Sequence, residues 1–255
     1  MKISQIIPLL LIFILIGCKE SIVGPIEDDA NSDYYTITAG SFYIYNSTVY
    51  DSNSVLQSGL RKSYFVGDTI LLNTTYQTKI DTFQLNSVET IVKSYLRKSS
   101  TGVFNYVNID TAGFSGLIPD SLQGAISFDS EYRLLYQPLA INQTWPVFKV
   151  TASYSNFQFD LFSIDASIIS KDSLTFAFRD TTYSQEVYKI KYTAKLFTAI
   201  NQPPINYELY AWIADRIGFV KWEGAAELIN FFAGANIYPL ESVVFKVSSG
   251  TMVDE

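Results

Sequence analysis

The stretch from Val187 to Phe197 constrains the fold more than any other. Tyr188, Ile190, Tyr192, Ala194 and Leu196 share one parity, and Lys189, Lys191, Thr193 and Lys195 share the other. Only an extended chain, whose side chains alternate between two faces, sorts these residues into a dry set and a wet set. The pattern therefore predicts an antiparallel strand with one face in a core and one in water. Shorter runs repeat it. Phe157, Phe159 and Leu161 alternate with Gln158 and Asp160, and Leu174, Phe176 and Phe178 with Thr175, Ala177 and Arg179. Val243, Phe245 and Val247 flank Val244 and Lys246. Further strands are predicted over 42–50, 63–66, 69–72, 88–97, 103–109, 132–136, 145–153, 207–213 and 219–223. Turn chemistry separates them at Val66-Gly67-Asp68, Ser99-Ser100-Thr101-Gly102, Gln202-Pro203-Pro204 and Arg216-Ile217-Gly218. One short helix is predicted over 225–233, and residues 111–131, rich in Gly, Ser and Asp, read as a long loop. The expected fold class is all-β and mainly antiparallel: a single curved sheet, a half-barrel or a sandwich-like domain. Its predicted core holds Tyr188, Ile190, Tyr192, Leu196, Phe157, Phe159, Phe176, Phe178, Trp145 and Phe245, with Lys189, Lys191 and Lys195 on a solvated face.

Composition narrows the chemistry. The chain has no histidine, which removes His-based triads, imidazole general bases and His-bearing zinc sites. Its single cysteine allows no internal disulfide and no thiolate metal cluster. The balance of 18 basic against 25 acidic residues, net −7, argues against nucleic acid as a partner held by bulk charge. No Walker loop or dinucleotide-binding glycine fingerprint is present, and no cofactor or metal is implied. Asp129 and Glu131, two apart and so on one face of a strand, are the remaining enzymatic option, as paired carboxylates acting on a sugar. The plainer reading of that pair is a polar strand start, and the chain is expected not to be an enzyme. Asp110, Asp120 and Asp129 could reach calcium, but they lack the Asp-x-Asp-x-Asp-Gly spacing. The 15% aromatic content has two readings. Tyr and Trp could stack on sugars or line a lipid-sized cavity, or they could form cross-strand pairs in a β core. The recurring Asp-Ser/Thr pairs, such as Asp68-Thr69 and Asp172-Ser173, resemble an O-glycosylation pattern and equally suit turns.

The N-terminus carries an address. After Met1 and Lys2, an apolar run from Ile6 to Ile16 is broken only by Pro8. A helix needs roughly 20 residues to cross a hydrocarbon core of about 30 Å, so this run is too short and suits a secretory signal. It ends in Leu15-Ile16-Gly17-Cys18, which resembles the lipobox of bacterial lipoprotein precursors. The resemblance implies diacylglyceryl transfer to Cys18, with Leu15, Ile16 and Gly17 read by the peptidase that cuts before it. Two or more acyl chains anchor a protein stably where one does not, so the implied partner is membrane lipid held through Cys18. Residues 1–17 are thus the signal peptide, 18–33 an acidic tether with Glu20, Glu27, Asp28, Asp29 and Asp33, 34–250 one β domain, and 251–255 a tail. Lys19 is not the aspartate that marks inner-membrane retention in many lipoproteins. The expected location is therefore the cell envelope, lipid-anchored at the outer membrane, on its periplasmic face or at the cell surface.

An internal repeat is also visible. Residues 36–43, TITAGSFY, match residues 138–145, PLAINQTW: an apolar pair, a turn-prone Gly or Asn, then an aromatic that opens a strand. Asn enters the left-handed conformation more readily than most residues, so Gly40 and Asn142 are physically equivalent choices. Together with Tyr34-Tyr35 ahead of the first copy and Gly218-Phe219-Val220-Lys221-Trp222 late in the chain, the repeat resembles a set of bacterial envelope lipoproteins. Their domains open with a Tyr-Tyr-Pro-Leu, Gly-x-x-Trp-x-Tyr pattern and repeat a Pro-Leu, Gly-Asp-x-Trp variant. This chain departs from it at Thr36, Tyr43 and Asn142. The resemblance implies a curved antiparallel sheet and carries no catalytic residues. The expected role is non-enzymatic binding or structure, with no protein partner specified. Two alternatives stand beside it: a carrier or sensor of an apolar ligand in a half-barrel cavity, and a carbohydrate-active protein using Asp129 and Glu131.

Overall fold

A computed structural model describes residues 33–50, 56–85, 87–107, 125–154, 157–178, 181–198, 202–234 and 246–252. Leu15, Ile16, Gly17 and Cys18, the tether up to residue 32, and Asp110, Asp120 and Phe245 lie outside the described residues. In chain order the first elements are β1 (Phe42–Tyr50), β2 (Leu56–Leu71), β3 (Thr74–Leu85), β4 (Val88–Ser99), β5 (Gly102–Tyr106), β6 (Ile126–Phe128) and β7 (Glu131–Tyr136). Then come β8 (Thr144–Tyr154), β9 (Phe157–Phe178), β10 (Thr181–Leu196), β11 (Ile205–Ala214), β12 (Gly218–Ala225), α1 (Ala226–Ala233) and β13 (Lys246–Met252). The strands form one antiparallel sheet in the order β6-β8-β9-β10-β11-β12-β13-β1-β2-β3-β4-β5-β7. β13 pairs with β1 as far as Met252, two residues past the expected boundary at 250.

The sheet consists of two meanders. One runs from β1 to β5 and ends in β7; the other runs from β8 to β13; they meet where β13 pairs with β1. The sheet curls until its ends meet: the Tyr192 hydroxyl on β10 donates to the Leu134 carbonyl on β7 at 2.8 Å, and Trp145 Nε1 on β8 donates to the Arg133 carbonyl at 3.2 Å. The concave side is filled by α1, whose Phe231 and Phe232 rings pack on Tyr132, Phe148, Phe162, Tyr192 and Trp222. The helix stops at Gly234, whose φ of 75° suits a residue without a side chain and whose N–H caps the carbonyls of Asn230 and Phe231.

The sequence repeat is a structural repeat. Ser41 N–H bonds to the Thr38 carbonyl and Gln143 N–H to the Ala140 carbonyl, closing equivalent turns. Gly40 and Asn142 sit at φ 88° and 66°. Gly40 N–H then reaches the Phe65 carbonyl at 2.8 Å, and Asn142 N–H the Ile168 carbonyl at 2.9 Å. Phe65 and Ile168 each donate back at 2.9 Å, to Ser41 and Gln143. Ile37 and Leu139 are buried beneath the two turns.

The inward residues of β10 follow the expected alternation. Tyr188, Ile190 and Tyr192 are buried with Trp145 and Phe176, while Lys189, Lys191 and Lys195 keep part of their surface in water. Leu196 and Phe159 are half-buried. Phe157 is 76% exposed: it pairs with Tyr154 at the turn end of the β8–β9 hairpin, away from the core cluster. Gly67 marks no chain reversal. β2 runs through it with a register shift between Phe65 and Gly67, so the glycine serves a bulge at φ 141°. The reversal comes at Leu72-Asn73, both at positive φ, a two-residue loop whose twist suits a hairpin. The two apolar runs starting at Phe157 and Leu174 belong to one 22-residue strand, β9. β3 was not anticipated from the alternation, and the reason lies in what it carries inward.

Candidate functional site

β3 turns Lys79, Asp81 and Phe83 inward, beside Arg61, Ser63 and Phe65 of β2 and Ser94 and Leu96 of β4. Asn105 of β5 and Tyr132 of β7 continue the row. Arg61 grips Asp81 with two parallel hydrogen bonds, Nε to Oδ1 at 3.1 Å and a terminal nitrogen to Oδ2 at 3.2 Å. Lys79 Nζ lies 2.8 Å from Asp81 Oδ2, and the Ser63 hydroxyl donates to Oδ1. The guanidinium of Arg61 also sits over the Phe83 ring, 4.9 Å from its centroid. Side-chain exposure is 0% for Asp81, 6% for Lys79 and 18% for Arg61.

Arg61, Ser63 and Lys79 face a cavity of about 30 Å³ between the two halves of the sheet. Tyr35 and Tyr45 line it, with Asn105, Phe219, Trp222 and Phe232 on other sides. Burial alone would push the Asp81 carboxyl up; the charges of Arg61 and Lys79 overcome this and hold it well below the usual carboxylate range. Burial pushes the Lys79 ammonium down, opposed by Asp81 and reinforced by Arg61. Arg61 stays charged, because Asp81 outweighs the cost of its burial. Among the described residues no carboxylate lines the cavity, and the two cations that do line it share one anion, Asp81. Asn105 donates to the Tyr132 hydroxyl, yet its own Oδ1 is buried without a partner.

The repeat sets these charges against apolar residues at the equivalent positions of the same sheet. With Phe65 set against Ile168, Arg61 corresponds to Ile164 and Ser63 to Ala166 on the neighbouring inward positions. Across the strand pair, Lys79 opposite Phe65 corresponds to Ile190 opposite Ile168. Asp81 opposite Ser63 corresponds to Tyr192 opposite Ala166. One strand further, Ser94 corresponds to Ala211. Ile164, Ala166, Ile168, Ile190, Tyr192 and Ala211 are all fully or almost fully buried. Arg61, Lys79 and Asp81 escaped the sequence reading because charges at core positions break the apolar alternation. Extending the repeat strand by strand would have exposed them.

The carboxylates singled out from the sequence go elsewhere. Asp129 is exposed between β6 and β7. Glu131 accepts from Arg97 Nε at 2.5 Å and from the Tyr76 hydroxyl at 2.6 Å. Partial burial raises the Glu131 carboxyl, but these bonds more than offset it and hold it below its ordinary value, which suits an ion pair and not a proton donor. The lysine stripe on the outer face is laid over aromatic rings: Lys189 lies 5.0 Å from the Tyr210 centroid and 4.9 Å from that of Trp212, and Lys221 lies 4.4 Å from Trp212. Trp212 Nε1 donates to Asp172 at 2.9 Å beneath them. Asp68 of the Asp68-Thr69 pair accepts from Gln77. No helix among the described residues is long and apolar enough to cross a membrane.

No protein-family model matches the chain, and no curated protein matches it. Two solved structures are similar in fold. One, provisionally described as a lipoprotein, comes from Parabacteroides distasonis; it is 15% identical over 87% of this chain and 97% of its own, with a TM-score of 0.44. The other, provisionally described as an exported protein with a YmcC-like fold, comes from Bacteroides fragilis; it is 12% identical over 86% and 97%, with a TM-score of 0.41.

Proposed function

We propose that the chain is a lipoprotein of the bacterial cell envelope, held at the outer membrane by acylated Cys18, whose β domain is a non-enzymatic binding module working through the charged chamber. The anchor and address rest on Leu15-Ile16-Gly17-Cys18 and Lys19. The binding role rests on one observation: the first half of the sheet turns a half-buried Arg61 and a buried Lys79 and Asp81 inward where the second half buries Ile164, Ile190 and Tyr192. A buried ion cluster adds little net stability over apolar side chains of similar size. Its presence at positions that accept apolar residues in the same fold speaks for a ligand. The apolar-carrier alternative is less well supported, because α1 fills the concave face that a lipid would need. Such ligands take roughly 300–1,000 Å³.

The anchor is tested by metabolic labelling with an alkyne fatty acid: wild type should label and Cys18→Ala should not, and equal labelling overturns the anchor. The chamber is tested by giving the first half the residues of the second, Arg61→Ile, Ser63→Ala, Lys79→Ile and Asp81→Tyr together. The protein should stay folded and be unchanged to about 1–4 kcal/mol more stable to denaturant. A variant that no longer folds would make the cluster a structural necessity and remove the binding reading.

A further inference from the structure

We infer that the chamber binds one small monovalent anion, of the size of a halide or a single carboxylate group, in the cavity lined by Arg61, Lys79 and Asn105. This rests on the reading of the chamber as a binding site and names the chemistry of what enters it.

Charge is the first reason. Arg61 and Lys79 bring two positive charges to a cavity that no carboxylate among the described residues lines, with Asp81 as their one shared anion, and Asp81 and Lys79 are almost wholly shielded from water. An ion buried without compensation carries a penalty of several kcal/mol. Arg61 cannot shed its proton. The surplus is removed either by a neutral Lys79 or by an anion.

The second reason is the count of donors and acceptors. Asp81 already accepts two bonds from Arg61 and one from Ser63, and it also pairs with Lys79, which fills its two oxygens. An ammonium has three donors, and the recorded partner of Lys79 is Asp81. Asn105 is 5% exposed and its Oδ1 has no partner. Its amide nitrogen and oxygen exchange places by a half-turn of the side chain. In the turned state the Tyr132 hydroxyl redirects its single proton from the Phe232 carbonyl, 3.4 Å away, to Oδ1, and the amide N–H groups face the chamber beside the two cations. The turn gives the orphaned Asn105 oxygen a donor, and one anion then accepts from the remaining ammonium donors and from the turned amide.

Size is the third. A water needs about 10–15 Å³ of such space, so about 30 Å³ takes a halide or a carboxylate head. A sugar ring, a nucleotide or an acyl chain does not fit. Ile164 and Ile190, which stand in the second half where Arg61 and Lys79 stand in the first, bring no charge or donor to such a site.

The test is thermal unfolding of the full-length protein in non-ionic detergent, at constant ionic strength. Sodium gluconate, too large for the chamber, is replaced stepwise by sodium bromide or sodium formate. Wild type should show a midpoint that rises with the logarithm of bromide or formate concentration, relative to Lys79→Met in the same salts, which cancels general salt effects. A response to bromide and formate marks any small anion, whereas a response to formate alone marks a carboxylate; either supports the inference. Asn105→Asp supplies a carboxylate from the chain itself. It should raise the midpoint in gluconate and abolish the response to added anion, and it decides the matter if Lys79→Met does not fold. Crystals grown in bromide should show an anomalous peak in the chamber. Identical anion responses in wild type and both variants, with no peak, overturn the inference. If the apolar four-residue variant still folds in that case, only the identity of the ligand falls and the binding reading remains.

Discussion

Ile190 and Lys79 hold the same place in the two halves of the sheet, each opposite the residue that bonds back to a turn of the repeat. Around Ile190 the neighbours are Ala166, Tyr192 and Ala211, and the environment is dry. Burying such a side chain contributes about 1.5–3 kcal/mol. Around Lys79 the neighbours are Asp81, Ser94 and Arg61, and burial there works against the ion. The backbone ladder is common to both halves. The second half therefore supplies the stability expected of a β core, and the first half departs from that pattern at the positions that bear chemistry.

The largest test of this contrast is to unbalance the cluster. Asp81→Asn leaves two buried cations without their anion and should destabilise the protein by about 3–5 kcal/mol in denaturant unfolding. The matched cut in the second half, Tyr192→Phe, strips a hydroxyl from the Leu134 carbonyl and should cost about 1–3 kcal/mol. Equal losses would erase the contrast.

Acid probes the same difference. The folded pKa of Asp81 is depressed, so its contribution is fully present above the unfolded value of about 3.9 and is lost as pH falls through the folded value. Wild type should lose stability steadily below about pH 4. The apolar four-residue variant should lose less over the same range, because Glu131, Asp172 and Glu208, also depressed, are present in both. Parallel curves of denaturant midpoint against pH would mean that Asp81 gains nothing from Arg61 and Lys79.

This division also decides what could be read in the sequence. β10 was legible because its inward residues are apolar and its outward residues are charged. The paired turns were legible because Gly40 and Asn142 meet the same backbone demand. β3 was not, since Lys79 and Asp81 stand where the alternation calls for apolar residues. Gly67 misled for a different reason: a bulge and a turn both recruit glycine for positive φ, and sequence alone does not separate them. The binding chemistry was hidden by the feature that makes it notable, charges inside a core. Asp129 and Glu131 drew notice by standing two apart, but one faces water and the other is held by Arg97 and Tyr76.

On the outer face, lysines have a milder role. Lys189 lies over Tyr210 and Trp212 while its ammonium remains in reach of solvent. Lys189→Ala should cost about 0.5–1 kcal/mol, well below the cost of Asp81→Asn. A loss of several kcal/mol in chemical denaturation would mean that the outer lysines are as deeply committed as Lys79.

The smallest effect should come from the repeat itself. Gly40 and Asn142 close equivalent turns at φ 88° and 66°. A Cβ added at Gly40 would meet nothing within 4 Å, so space is no obstacle and only backbone preference counts. Asn visits the left-handed region more readily than other residues with a side chain, so Gly40→Asn should change stability by no more than about 0.5–1 kcal/mol. Asn142→Gly should fall in the same range, since it relaxes the native turn but frees the unfolded chain. Gly40→Val should cost more, because a β-branched residue at that φ is strained by at least about 1–2 kcal/mol. The ordering of Val above Asn is the informative result. If Asn and Val were equally harmful at position 40, the two turns would not be interchangeable, and the alignment that sets Lys79 against Ile190 would lose its anchor.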